Sequence, residues 1–103
     1  MKTTVYISGK ITGEHYITCW HKFEKAENEL IADGYKVINP MKLVKPTWSW
    51  LRCMVKCIWV LIFKTDAIYL LPDWKDSKGA RIEKKIADKL NINEFSYEKS
   101  KKI

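Results

Sequence analysis

The sequence predicts a single-domain α/β fold with a doubly wound, mainly parallel sheet of four or five strands and helices on both faces. Short β-branched or apolar runs of strand length alternate with longer segments whose apolar residues recur at helical spacing. Strands separated by helices in this rhythm form crossover units and therefore pair in parallel. The 103 residues leave room for one core. We assign residues 1–98 to this domain and residues 99–103 to a basic tail.

The first half of the chain contains a strand, a loop and a helix. Residues 3–8 are mostly β-branched or aromatic and predict the first strand. Gly9 and Gly13 follow, and glycine lets the backbone turn tightly or approach a ligand. Residues 16–33 show helical periodicity, and Gly34 is well placed to end that helix. The side chains expected to face inward are Trp20, Phe23, Ala26, Leu30 and Ile31.

The second half repeats the alternation. A strand at residues 35–38 leads through a loop at 41–47 to a helix that begins at Trp48 or Ser49 and ends near Lys64. One apolar face of this helix is expected to comprise Leu51, Met54, Val55, Ile58 and Ile62, and a second face Trp59, Val60 and Phe63. The remaining elements are a buried strand at 67–71, a helix containing Ile82, Ile86, Ala87 and Leu90, and a strand at 92–97. This order is typical of flavodoxin-like and Rossmann-like folds.

Composition bears on partners and compartment. The formal net charge of +7 favours anionic partners such as a nucleotide, a nucleic acid or a membrane surface, although three lysines of this total belong to the tail. Three cysteines without framework spacing predict free thiols in a reducing compartment and no metal site. The apolar segment at 48–63 carries Arg52 and Lys56 and falls short of the ~20 residues of a membrane span. We expect a cytoplasmic protein that does not enter a membrane and needs no cofactor.

Two loops are expected to share one edge of the sheet. Ligands of parallel sheets bind outside the carboxyl ends of the strands, where residues 9–13 and 73–79 would both lie. Ser77 or Asp76 can cap the following helix, whose amino end attracts anions, and Glu83 lies about one turn further on. The same residues are also common in loops that only turn the chain and cap a helix, and a glutamate there is ordinarily solvated. Spacing alone leaves both interpretations open.

Four ordered motifs resemble one family. Residues 6–13 read Y-I-S-G-K-I-T-G, residues 23–27 contain F-x-x-A-E, residues 37–40 read V-I-N-P, and residues 66–83 read D-A-I-Y-L-L-P-D-W-K-D-S-K-G-A-R-I-E. Together they resemble the nucleoside 2-deoxyribosyltransferase-like superfamily, in particular its small phage- or prophage-type branch of uncharacterised function. The resemblance spans about residues 6–90. It implies an enzyme that cleaves or exchanges the bond between a base and a ribose or deoxyribose through a carboxylate nucleophile.

The resemblance also implies roles for individual residues. Glu83 matches the nucleophile, and Tyr6 matches a tyrosine that orients it. Ser77 matches a serine that contacts a 5′-phosphate, where transferases acting on free nucleosides carry an aspartate. The loop from Gly9 to Gly13 would cradle that phosphate. The full set of phosphate- and nucleotide-binding residues expected from the resemblance is Ser8, Gly9, Lys10, Ile11, Thr12, Gly13, Asp73, Trp74, Ser77 and Gly79.

The chain departs from the family pattern at two places. The enzymes carry an aspartate about eight residues before the one that starts the third strand, and this chain has Cys57 and Ile58 there. That aspartate is thought to handle the base or its protonation, so the leaving group has no obvious proton donor. Lys10 stands where proline is common. Nucleotide binding is therefore better supported than turnover.

Three functions are compatible with these observations. The first is an N-glycosidase or deoxyribosyltransferase acting on a nucleoside 5′-monophosphate. The second is a noncatalytic protein that sequesters a nucleotide-derived signal, for example a viral anti-defence sponge. The third is nucleic-acid binding, which the charge favours, but the chain lacks a recognition-helix pattern and basic-aromatic interleaving on a strand. We also expect a homo-oligomer, most simply a dimer, because the helix at 48–63 is apolar on two sides.

Overall fold

The computed structural model describes residues 3–45 and 47–96, and it has a four-stranded, all-parallel sheet with strand order β2-β1-β3-β4. The strands are β1 (Thr4–Ser8), β2 (Lys36–Ile38), β3 (Ala67–Leu70) and β4 (Asn93–Ser96). The predicted α/β class and parallel pairing are confirmed. Tyr6 lies directly opposite Ile68 in the pairing of β1 with β3, as expected for adjacent central strands. Residue 97 of the predicted last strand and the tail at 99–103 lie outside the described residues.

The helices are α1 (Tyr16–Ala32), α2 (Pro40–Leu43), α3 (Trp50–Lys64) and α4 (Lys78–Lys89), with a 3-10 turn at Trp74–Asp76. The prediction of a loop throughout residues 41–47 is wrong at its start, where α2 forms. Asn39 caps this short helix by accepting a hydrogen bond of 2.9 Å from the backbone amide of Met41. Pro40 occupies the first turn, where the missing amide costs no hydrogen bond.

Alternation along the strands divides the core into two layers. Val5 and Ile7 of β1 pack against α1, whereas Tyr6 contributes to the layer formed with α3 and α4. The helical residues of the first layer include Cys19, Phe23, Ala26 and Leu30, and those of the second include Cys57, Val60, Leu61 and Ala87. Successive strand side chains point to opposite faces, so β3, whose four residues are all buried, needs helices on both sides of the sheet.

Two predictions about buried faces are wrong. Ile31 of α1 is exposed, because Leu30 beside it takes the inward position. On α3, neither expected face is correct: Val60 of the second face is buried with Cys57 and Leu61, whereas three residues of the first face, Leu51, Val55 and Ile62, are exposed. Beyond Trp50 at the start of this helix, its exposed apolar residues are Leu51, Val55, Trp59, Ile62 and Phe63, which we call the α3 stripe.

Among residues 3–45 and 47–96, no helix combines the length and the apolar character that are needed to cross a bilayer.

Candidate functional site

The most unusual polar group of the described residues is the carboxylate of Glu83, which is only 5% exposed. Its Oε2 accepts a hydrogen bond of 2.6 Å from the Tyr6 hydroxyl, and its Oε1 accepts one of 2.9 Å from Ser8 Oγ. Tyr6 and Ser8 are two positions apart on β1, so their side chains leave the same face of the sheet. That face is the one covered by α4, and a carboxylate in the second turn of α4 therefore meets both hydroxyls.

Burial sets the protonation of this group. Desolvation raises the pKa of Glu83 from 4.5 to about 7, although the hydrogen bonds from Tyr6 and Ser8 act in the opposite direction. Burial, followed by the nearby Glu83 carboxylate, raises the pKa of Tyr6 well above its usual value. The tyrosine is thus a neutral hydrogen-bond donor at physiological pH. Burial also raises the pKa of the Cys57 thiol beside it to about 12. The carboxylate is the group that changes charge near neutral pH.

Glu83 and Tyr6 line a cavity of about 370 Å³. This volume lies within the range of pockets that hold small molecules, roughly 300–1,000 Å³. The polar end of the cavity is formed by Thr12, Ser77 and Gly79, at the carboxyl ends of β1 and β3 and the start of α4. Gly9 and Ile11 also belong to the lining. The two loops that were expected to share one edge of the sheet do so.

The start of α4 provides the features of an anion site. Ser77 caps the helix, and its Oγ accepts a hydrogen bond of 3.1 Å from the amide of Ala80. The hydroxyl proton of Ser77 remains available to a ligand, and the helix amino end carries partial positive charge. A groove beside the cavity contains Lys78, together with the acid Asp76. A Cβ at Gly79 would lie 2.9 Å from Sδ of Met54, so glycine allows this first turn to approach α3 closely.

Five residues of the predicted binding set lie elsewhere. Ser8, Lys10, Gly13, Asp73 and Trp74 are not part of the cavity lining. Asp73 instead joins the two loops, because its carboxylate accepts hydrogen bonds from the backbone amide of Lys10 at 3.1 Å and from Lys22 Nζ at 2.6 Å. Trp74 packs against the layer formed with α3 and α4.

Two of the predicted residues act inside the fold. Ser8 holds the carboxylate of Glu83 and is itself fully buried. Gly9 lines the cavity, and its lack of a side chain lets the backbone pass Leu71, whose Cδ1 would lie 2.6 Å from an added Cβ.

Sequence reasoning missed one whole wall of the cavity. Its aromatic members are Tyr16, Trp48 and Trp50, and its sulfur-containing members are Met41, Cys53, Met54 and Cys57. The five tryptophans of the chain were the available signal, since so many in a short chain indicate a large aromatic share of the core or an interface. Nothing in the spacing of Trp48 and Trp50 indicated that they would face Glu83, which is more than thirty residues away in the chain.

Comparison with known proteins gives one match. No curated protein and no solved structure is significantly similar to the chain. A family model, described as Domain of unknown function (DUF4406), matches residues 3–94, which include the four described helices, strands β1 to β3, the start of β4 and the described cavity lining. The chain therefore belongs to the family Domain of unknown function (DUF4406).

Proposed function

We propose that the protein binds a nucleoside 5′-monophosphate-like ligand and cleaves or exchanges its base–sugar bond with Glu83 as the nucleophile, as in enzymes of the nucleoside 2-deoxyribosyltransferase type. One observation carries this proposal. A buried carboxylate, oriented by two hydroxyl groups, lines a cavity of nucleotide size that ends at the capped amino end of α4. The four sequence motifs support the same function. The Ser77 hydroxyl would bind the phosphate together with the free amides at the start of the helix.

The reaction needs a nucleophile at the anomeric carbon. In its ionised form Glu83 attacks that carbon, a C–O ester bond forms, and the C–N bond breaks with its electron pair leaving on the base. Water then attacks the same carbon, the carboxylate leaves, and one proton of the water is released. A second base in place of water would give exchange. Tyr6 and Ser8 keep the two carboxylate oxygens in place throughout, so they are positioning residues.

A noncatalytic binder is the second candidate, and a specific feature favours it. Among the described residues that line the cavity, Glu83 is the only carboxylic acid. A departing purine or pyrimidine ordinarily needs a proton, which a separate acid supplies in efficient enzymes. A cavity that holds a nucleotide without such an acid suits sequestration of a nucleotide-derived signal.

Base release separates the two candidates. The protein is incubated with a panel of nucleoside and deoxynucleoside 5′-monophosphates that includes one with a pyridinium base, and free base is measured by chromatography. Glu83→Gln should abolish release, because an amide is nearly isosteric but is no nucleophile, a loss of several orders of magnitude. Glu29→Gln, an exposed glutamate of α1, is the matched control and should release base like the wild type. No base from any substrate, with a thermal shift by the monophosphates, would favour the binder.

We also propose that the α3 stripe is covered by a second copy of the chain. Leu51, Val55 and Phe63 are 67%, 62% and 66% exposed, and the rings of Trp59 and Phe63 are 5.3 Å apart. Trp48 lines both the cavity and the groove along the stripe, so a second copy there would border the site.

Light scattering at tens of micromolar protein tests the dimer, since specific dimers of modest affinity persist at that concentration. Phe63→Ser should lower the measured mass toward that of a monomer. Ile31→Ser, at an equally apolar exposed position of α1, should leave it unchanged. A wild-type monomer would contradict the proposal.

A further inference from the structure

We propose that the preferred substrate carries a cationic aromatic base, that is, an N-ribosylpyridinium 5′-monophosphate. This inference rests on the proposed function and names the substrate class for the same site. It follows from two features of the cavity: the groups available to protonate a departing base, and the aromatic side chains of the lining.

The first feature is the set of protons near Glu83. The hydroxyls of Tyr6 and Ser8 are already donated to the carboxylate, at 2.6 and 2.9 Å. The Cys57 thiol is a weak acid, because burial raises its pKa to about 12. Asp76, the acid of the adjoining groove, is exposed and lies beside the start of α4, at the phosphate end. A nucleophilic Glu83 is ionised and has no proton to give.

A pyridinium base removes the need for a proton. When Glu83 Oε bonds to the anomeric carbon, the C–N bond breaks and its electron pair neutralises the ring nitrogen. The base leaves as a neutral pyridine. Hydrolysis of the glycosyl ester then consumes one water and yields ribose 5-phosphate and one proton. Every atom and electron is accounted for without a general acid, whereas a neutral purine or pyrimidine would have to leave as an anion.

The second feature is the aromatic wall. Tyr16, Trp48 and Trp50 line the cavity, and the faces of aromatic rings attract cations. Both tryptophans already do so within the protein: the Arg52 guanidinium lies 4.2 Å from the Trp48 ring, and Lys78 Nζ lies 5.3 Å from the Trp50 ring. These two cations line the neighbouring grooves and are absent from the cavity lining.

The charges of the cavity lining are complementary to those of such a ligand. The ionised Glu83 adds a negative charge inside the cavity, next to where the bond to the cationic ring would break. The start of α4 suits the phosphate of the ligand, and Lys45, which is exposed at the cavity, adds a further positive charge to the lining. A ligand that carries both a cationic aromatic ring and a phosphate matches the charges of the lining.

The test uses nicotinamide mononucleotide and its reduced dihydro form, which has the same sugar, phosphate and carboxamide but a neutral ring. At pH 8 the Glu83 carboxylate is mostly ionised and the reduced form is chemically stable. Base release is compared among these two compounds, AMP and CMP. We expect nicotinamide from the oxidised form at least about 100-fold faster than base from the others, the lower range of what a general acid contributes.

Binding supplies a second, independent measurement. Glu83→Gln would be titrated with the oxidised and reduced forms, so that turnover does not interfere. We expect tighter binding of the oxidised form, and a smaller preference when Trp50→Leu is added. Trp50 is 41% exposed, so this substitution should leave the fold intact, which circular dichroism would verify.

The outcomes distinguish the pyridinium inference from the glycosidase proposal. Release of adenine or cytosine as fast as nicotinamide, or equal binding of the oxidised and reduced forms, would overturn the pyridinium inference and leave the glycosidase proposal standing. No base from any compound would overturn the glycosidase proposal, and the pyridinium inference with it.

Discussion

Removing the charge of Glu83 should stabilise the protein at alkaline pH. The pKa of this carboxyl is raised from 4.5 to about 7 in the folded state, mainly by burial. Between these values the folded chain holds a proton that the unfolded chain has lost, so stability falls as pH rises. The favourable contribution is complete below pH 4.5 and is lost above about pH 7. At 1.36 kcal/mol per pH unit, this difference corresponds to about 3 kcal/mol.

Glu83→Gln removes this titration and keeps the shape of the side chain. The amide oxygen can still accept from Tyr6 or Ser8, but not with the geometry of both bonds, which subtracts about 1 kcal/mol. We therefore expect the variant to be more stable than the wild type by about 2 kcal/mol at pH 8, and equal or slightly less stable at pH 4.5.

Urea unfolding at several pH values between 4.5 and 8, followed by tryptophan fluorescence, measures both free energies of unfolding. The difference between variant and wild type isolates Glu83, because all other groups titrate in both proteins. Glu29→Gln, which changes an exposed glutamate, should show no such pH-dependent difference. Parallel stability profiles of Glu83→Gln and wild type would refute the reasoning, since they would mean that Glu83 is ionised in the folded state at a normal pKa.

Three further outcomes are expected. Tyr6→Phe removes the hydrogen bond of 2.6 Å to Glu83, so the pKa of this carboxyl should rise further. An NMR titration of the Glu83 side chain measures this pKa. An unchanged value would mean that the hydrogen bond does not stabilise the charged form. Ser77→Asp should weaken binding of a monophosphate and leave binding of the corresponding nucleoside unchanged, because the aspartate places a negative charge against the phosphate. Thermal shifts measure both. Shifts that change equally for the two ligands would contradict this role of Ser77. Gly9→Ala should lower the free energy of unfolding by about 1–3 kcal/mol, because the added Cβ would lie 2.6–3.1 Å from side-chain atoms of Leu71. An unchanged midpoint of urea unfolding would show that the backbone can move away from Leu71.

The ionised form of the buried Glu83 carboxylate lowers the stability of the folded protein. Below pH 7 the Glu83 carboxyl is mostly neutral, which burial favours. Above pH 7 it is mostly ionised, which is the form that the proposed reaction requires. Tyr6 and Ser8 reduce this cost without eliminating it, because two hydrogen bonds do not replace the hydration of a carboxylate. A perturbed pKa of this kind is typical of functional sites, which supports the proposed role of Glu83.

The local sequence determined most of the architecture. Helical and strand periodicities are local, because they depend only on the order of apolar and polar residues within a short segment. The bounds of α1, α3, α4 and the four described strands were therefore predicted within a few residues. Parallel pairing followed from their order along the chain, and the pairing of β1 with β3 agrees with the expectation that the loops after them share one edge of the sheet. The short helix at Pro40–Leu43 was missed, because its cap at Asn39 also reads as a turn signal.

The position of Glu83 on α4 was also evident from sequence, through its spacing from Ser77 and the motifs around it. Its surroundings were not. A glutamate in the second turn of a helix is ordinarily solvated, and only the packing of α4 on β1 brings it to Tyr6 and Ser8, more than seventy residues away in the chain. Burial then supplies the raised pKa.

The tertiary structure alone decided which face of α3 points where. Periodicity grouped Leu51 and Val55 on one face with Met54, Ile58 and Ile62, because apolar residues surround this helix and none of them indicates which side meets the core. Contact with the sheet selects Cys57, Val60 and Leu61 and leaves the α3 stripe in solvent. The same orientation turns Cys57 and Met54 toward the cavity, while Trp48 and Trp50, where α3 begins, complete its aromatic wall. Local sequence encodes elements, but the side chains of a cavity come from distant segments that only the packed fold brings together.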